Sequence, residues 1–410
     1  MRKERAMEEN NYIIKEDFDE YEQQKETEED LHKLTDDIIR QAVVTSTDWT
    51  TETILSQINK VNILLNPQFQ RRDAWTKKRK SKFIESLVLG LPVPQLVLAE
   101  SADHRGKYIV IDGKQRLLSI RQFAASENDS IFEQLKLTGL EVRTDLNGKC
   151  LDDFNRELDF YDDLSSFENQ PIRTVIIKNW PNEDFLYHVF LRLNTGSVTL
   201  SPQELRQALH PGAFVKFVDE ESRDSSALRD ILKSRKPDFR MRDAELLVRY
   251  YAFSYFLDEY KGNLKDFLDN TCEKLNDRWI YIEDQIRADL DEFESAHTAI
   301  KKVFGQHSYR KWTASGFESR FNRAIFDILI YSFRNSEARR VLEDNSSAVI
   351  DIFKELCENN KDFLSSIEQT TKSIRATHIR LSSWCNELNE RFDLALHVPH
   401  FEQDAKFEGK

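Results

Sequence analysis

The feature that most constrains the fold of this chain is a change of hydrophobic period near residue 212. Upstream of it, from about residue 50, short apolar runs such as Leu96-Val97-Leu98-Ala99, Tyr108-Ile109-Val110-Ile111 and Ile172-Arg173-Thr174-Val175-Ile176-Ile177 alternate with stretches of helical spacing. Downstream, the segments 243–260, 277–304, 318–333 and 347–357 are amphipathic or aromatic-rich and poor in strand-like runs. This pattern predicts an α+β chain, with a mixed α/β domain over residues 46–211 and an all-α domain over 212–410. Residues 1–45 read as a flexible acidic leader, because positions 1–40 hold 14 acidic against 7 basic side chains and few periodic apolar residues.

Local signals place several elements. The first two apolar runs form strands joined by a polar turn through Asp103, His104, Arg105 and Gly106. Thr76 is positioned to cap a helix whose Phe83, Ile84, Leu87 and Val88 make one stripe, and Gly90 followed by Pro92 ends it. Ser201-Pro202-Gln203-Glu204 is a capping box with proline at the first helical position, so a helix runs over 202–209 and Asn194 to Leu200 become a loop.

No apolar run approaches the roughly 18 residues that spanning a bilayer requires, and the N-terminus lacks the apolar core of a signal peptide. Cys150, Cys272, Cys357 and Cys385 are widely spaced, which argues against a disulfide framework or a zinc knuckle. The expectation is a cytoplasmic protein with no membrane partner and no metal held by cysteines or histidines. The only close histidine pair, His397 and His400, lacks an upstream ligand cluster and reads as a surface pair, while the isolated His188 and His210 read as core or capping residues. There is no phosphate loop of the Gly-x-x-x-x-Gly-Lys type, no Gly-x-Ser-x-Gly elbow and no His-Glu-x-x-His. The net charge of −13 conceals one basic stretch: Arg71, Arg72, Lys77, Lys78, Arg79, Lys80 and Lys82 against a single acid, Asp73. Such a stretch can grip nucleic-acid phosphates or can be a solvated helix face.

The segment 108–120 carries the most chemistry. A β-branched run ends in Asp112-Gly113, and Gln115 to Phe123 has helical spacing. A strand turning into a helix leaves free N–H groups and a positive dipole end, a favourable place for phosphate. Gly113 would let the backbone approach a ligand, Lys114 and Arg116 add charge, and Asp112 could hold Mg²⁺ or orient a water. An Asp-Gly pair is also an ordinary turn signal.

Four ordered motifs go further: Leu65 to Trp75 with its Gln70-Arg71 pair, Phe83 to Pro94, Ile111-Asp112-Gly113-Lys114-Gln115-Arg116, and Phe190 to Gly196. In this order and spacing they resemble the GmrSD-type N-terminal domain family, described as ParB/sulfiredoxin-like and found in type IV restriction and phosphorothioate-sensing systems. The resemblance implies a ParB/sulfiredoxin-like fold and places the family's Asp-Gly-Gln-Gln-Arg box, linked to nucleotide binding and hydrolysis, on Asp112, Gly113, Lys114, Gln115 and Arg116. Lys114 stands where the family has its first glutamine. The same resemblance puts Gln70, Arg71, Asn194 and Thr195 at the same cleft. The His-Asn-His nuclease domain that larger members carry has no counterpart in this sequence.

Three readings follow. In the first, which is favoured narrowly, the chain is a nucleotide-dependent restriction or anti-phage defence component. A nucleoside triphosphate with Mg²⁺ is its cofactor, Asp112 and Arg116 are catalytic, and Gln70, Arg71, Gly113, Lys114, Gln115, Asn194 and Thr195 bind the phosphates. Arg72, Lys77, Lys78, Arg79 and Lys80 contact DNA. In the second the same cleft senses a nucleotide or a DNA backbone without chemistry. In the third the helical half recruits a separate nuclease or effector.

Overall fold

The computed structural model of the 410-residue chain describes residues 39–65, 74–193, 201–368 and 371–399. These fall into two compact units, one of residues 39–211 with Lys236–Arg242, the other of Gly212–Arg235 with residues 243–399.

The first unit is built on a sheet of four strands, β1 (Val43–Thr50), β2 (Leu96–Glu100), β3 (Tyr108–Asp112) and β4 (Pro171–Lys178), in the order β1-β4-β2-β3. The expected β2–β3 hairpin is antiparallel, β2 runs parallel to β4, and β1 lies antiparallel along β4 from Val43 opposite Lys178 to Thr50 opposite Pro171. The near-continuous apolar runs of β2 and β3 arise because both faces of the sheet are covered. Leu96, Leu98 and Val110 point to one side, where they meet Ile54 of α1 (Thr51–Asn59), Ile84 and Leu87 of α2 (Lys77–Val88), and Leu117 and Ile120 of α3 (Lys114–Phe123). Phe123 closes that layer edge-on against Phe154 of α4 (Leu151–Arg156) and Phe167 of α5 (Tyr161–Asn169), with ring centroids 5.4 and 5.2 Å apart. Val97, Ala99, Ile109 and Ile111 point to the other side and pack with Leu186 and Phe190 of α6 (Glu183–Leu193) and Leu205 of α7 (Pro202–Leu209).

The capping signals are realised as read. Thr76 Oγ1 accepts from the Arg79 N–H at 3.3 Å, and Gly90 takes a left-handed φ of 67° just past the helix end. Ser201 Oγ accepts from Glu204 N at 3.1 Å, while Glu204 Oε2 accepts from Ser201 N at 2.7 Å. Strand β1 was not foreseen. Its residues 43–48 are exposed and mostly polar, so they carry no alternation for a pattern reading to detect.

The second unit is helical: α8 (Ala213–Asp224), α9 (Ser226–Ile231), α10 (Arg242–Tyr255), the 41-residue α11 (Leu264–Phe304), α12 (Arg323–Phe333), α13 (Ser336–Asp344), α14 (Ser346–Asn359), α15 (Lys361–Glu368) and α16 (Ile374–Phe392). A minimal hairpin of β5 (Trp312–Thr313) and β6 (Gly316–Phe317) interrupts it. Residues 318–322 are not helical as expected, because Asn322 Oδ1 accepts from Ile325 N at 3.1 Å and starts α12 there. Inside this unit Asp327 accepts from Arg249 Nε at 2.5 Å and Nη2 at 2.6 Å, and from Arg380 Nη2 at 3.3 Å. Arg380 also donates to the Thr371 carbonyl at 2.6 Å. Among the described residues no helix is long and apolar enough to cross a membrane.

Candidate functional site

Strand β3 ends at Asp112, and Gly113 turns the chain with a φ of 102°. A Cβ at this position would sit 2.4 Å from Leu96 Cδ2. The glycine is therefore required by the left-handed backbone and by the packing of β2, rather than by the approach of a ligand. Gly113→Ala is expected to lower stability by on the order of 2–5 kcal/mol, combining left-handed strain with overpacking; a denaturant titration showing a loss below about 1 kcal/mol would contradict this.

Helix α3 starts on Gly113 without a side-chain cap. Its first N–H groups have no partner within the helix, and they lie at the positive end of its dipole. Asp112 Oδ1 accepts from Gly113 N at 2.7 Å, and Asp112 Oδ2 pairs with Arg116 Nη2 at 2.8 Å. Arg116 Nη2 also donates to the Gln95 carbonyl at 2.9 Å. This turn forms one wall of a cavity of about 320 Å³, completed by Trp75, Arg79 and Lys82 from the α2 side, by Glu204, and by Phe239. Gln115 Oε1 and Arg116 Nε, both from residues lining the cavity, are buried and have no hydrogen-bond partner among the described residues. Buried polar atoms of this kind are costly unless something satisfies them.

Lys114 is placed differently from the expectation that its charge faces phosphate. Its ammonium forms a buried ion pair with the Glu204 carboxylate, whose other oxygen caps α7 through Ser201 N. The side chains are 5% and 6% exposed. The cation is thus met inside the protein, and the pair ties the start of α3 to the start of α7.

The basic stretch divides. Lys77 pairs with Glu133 at 2.8 Å, while Lys78 and Lys82 share Glu141, each at 3.3 Å. The two ammoniums hold the Glu141 carboxyl below its ordinary range. Arg79 lies with its guanidinium 4.6 Å over the Trp75 ring and joins the cavity lining. The half-buried Trp75 also meets Phe83 edge-on at 5.7 Å. Lys80 corrects the sequence reading. It is 3% exposed, its Nζ donates to Gln122 Oε1 at 2.5 Å, and burial pulls its pKa down to about 8. It points inward because it occupies the stripe of Phe83, Ile84 and Leu87, one turn earlier, so it is not a nucleic-acid contact.

Gln70, Arg71, Arg72, Asn194 and Thr195 lie outside the described residues, as does His400. His210 closes the end of α7, buried, with Nε2 3.2 Å from Glu183. His397 is exposed beside Asp258 at 3.3 Å. Glu204, Trp75 and Phe239 join the cavity without having been singled out from sequence as ligand contacts; the capping box flagged Glu204 for a different reason. Residues 51–211 match a family model described as the GmrSD restriction endonuclease, N-terminal domain. No curated protein and no solved structure matches the chain.

Proposed function

Since residues 51–211 belong to the GmrSD restriction endonuclease N-terminal domain family, we propose that this protein is a component of a DNA-directed restriction or defence system that binds and hydrolyses a nucleoside triphosphate with Mg²⁺ at the Asp112–Arg116 turn. The proposal includes the ParB/sulfiredoxin-like fold for the sheet-containing unit. The observation that carries the reading is the start of α3 without a side-chain cap on a cavity wall to which Arg116 belongs, the buried Nε–H of Arg116 having no hydrogen-bond partner among the described residues. Phosphate oxygens accept from the first N–H groups of α3 and from Arg116, while Arg79 supplies further positive charge across the cavity. Asp112 positions the metal or the attacking water. Water adds to the γ-phosphorus, the bond to the β–γ bridging oxygen breaks, the nucleoside diphosphate leaves carrying the charge that Arg116 stabilises, and the water's protons go with the inorganic phosphate, which releases one to solvent. Lys114 serves the site by anchoring the turn to Glu204. Gln70, Arg71, Asn194 and Thr195 are proposed phosphate contacts on the family motif alone. DNA cleavage is assigned to a separate nuclease or effector.

A second reading, a sensor without chemistry, is favoured by one observation: both Asp112 oxygens are already engaged, by Gly113 N and by Arg116. The two are separated by a panel of four ribonucleoside triphosphates with Mg²⁺, scored for calorimetric binding and for phosphate release, with and without duplex DNA. Asp112→Asn retains an acceptor for Gly113 N but loses the carboxylate charge. It is expected to slow release by about 100-fold or more while affinity changes little. Saturable binding without release by the unaltered protein leaves the sensor. Neither binding nor release sinks both readings.

A further inference from the structure

The helical unit contains a cavity of about 360 Å³, bounded by the end of α9, the last turns of α11 and the loop that follows it. A hydrogen-bonded chain forms its floor. His297 Nδ1 lies 2.9 Å from Tyr309 Oη, His297 Nε2 lies 3.0 Å from Asp230 Oδ2, and Asp230 Oδ1 accepts from Lys301 Nζ at 2.7 Å. The one carboxylate in the lining is therefore balanced by Lys301. Burial holds the His297 imidazole below its ordinary pKa, so it stays neutral and adds no negative or positive charge at pH 7. Three further cations line the same space, Lys233, Arg310 and Arg320. Lys233 and Arg310 make no ion pair with any described residue, in contrast to Lys77, Lys78 and Lys82 of α2.

The backbone adds a second observation. Lys233 and Tyr309 both hold left-handed φ values, 48° and 61°, although neither is glycine, and both line the cavity. Side chains held in such conformations collect at ligand sites. The half-buried Phe321 ring, edge-on to Tyr309 at 5.8 Å, supplies an aromatic surface beside the cations. Cations from two separate segments with an aromatic neighbour suit a polymer of phosphodiesters, which presents one charge to each cation.

We infer that this cavity is a phosphate-binding site that grips the backbone of DNA through Lys233 and Arg310. The inference rests on the DNA-directed reading above and names the place of contact. The test is fluorescence anisotropy of the full chain with labelled duplex and single-stranded oligonucleotides across a salt series, and with a labelled ATP analogue. The variant is Lys233→Gln with Arg310→Gln; the control is Lys302→Gln, which pairs with Glu343 outside the cavity. The double variant is expected to bind DNA at least about 10-fold more weakly with a salt slope reduced by roughly two, while the control binds normally. Its melting temperature should match that of the unaltered protein, since no ion pair is lost. DNA affinity equal in all three proteins overturns the site and leaves the DNA-directed reading standing. Absence of DNA binding by the unaltered protein overturns both. Loss of ATP-analogue affinity with DNA affinity intact reassigns the phosphate to a free nucleotide and overturns the inference.

Discussion

Replacing Asp327 with alanine is expected to remove about 3–5 kcal/mol of stability, a large share of the roughly 5–15 kcal/mol that holds a domain folded. Asp327, Arg249 and Arg380 are each 5% exposed or less, and the single carboxylate receives both guanidiniums. Its loss would leave two cations deep in the helical unit, one of which retains only the Thr371 carbonyl among the contacts described above. Removing one partner of a buried ionic group costs far more than replacing the whole group, because desolvation has already been suffered by the survivors. Urea denaturation followed by far-ultraviolet circular dichroism measures the effect. The combined change Arg249→Met, Asp327→Leu and Arg380→Met should recover most of the loss. A cost below about 1 kcal/mol for Asp327→Ala would show that water reaches the network.

The second large effect is expected at Lys114. Lys114→Met strands the Glu204 carboxylate and should cost about 3–5 kcal/mol by the same argument. Adding Glu204→Gln removes the stranded charge and keeps an oxygen for the Ser201 N–H, since glutamine serves in a capping box as glutamate does. The double variant should therefore lie within about 2 kcal/mol of the unaltered protein and bind nucleotide with similar affinity. A loss of affinity of about 10-fold in that stable double variant would mean that nucleotide binding needs Lys114 itself or the tie it makes to Glu204.

Most elements of the sheet unit could be read locally because their signals are local. The β2–β3 hairpin, the Thr76 cap, and the Ser201–Glu204 box each depend on residues a few positions apart. What escaped depended on distance. Glu204 was legible as the capping partner of Ser201, but its bond to Lys114 spans 90 residues and leaves no trace in either neighbourhood. Charge counted along the chain groups Lys80 with the exposed cations, whereas position around the helix does not. Its spacing from Phe83, Ile84 and Leu87 already placed it on the buried stripe. The turn at Asp112-Gly113 was identified correctly, yet the reason for its glycine lay in Leu96 on a neighbouring strand. For the candidate site, the residue types were visible in the sequence, while the atoms left without partners were not.

Strand β1 carries a consequence for how the protein is made. Thr45 Oγ1 donates to the Ile176 carbonyl, 131 residues later. At about 5–20 residues per second, β1 emerges from the ribosome roughly 7–26 s before the strand it pairs with. During that wait β2 and β3 can already close their own hairpin, leaving β1 the last to dock, since distant pairings bear the chain-closure entropy first. A waiting strand rich in valine and isoleucine would invite a neighbouring nascent chain. Thr45-Ser46-Thr47-Asp48 offers little to such a partner, so the polarity that hid β1 from a pattern reading also protects it before β4 arrives.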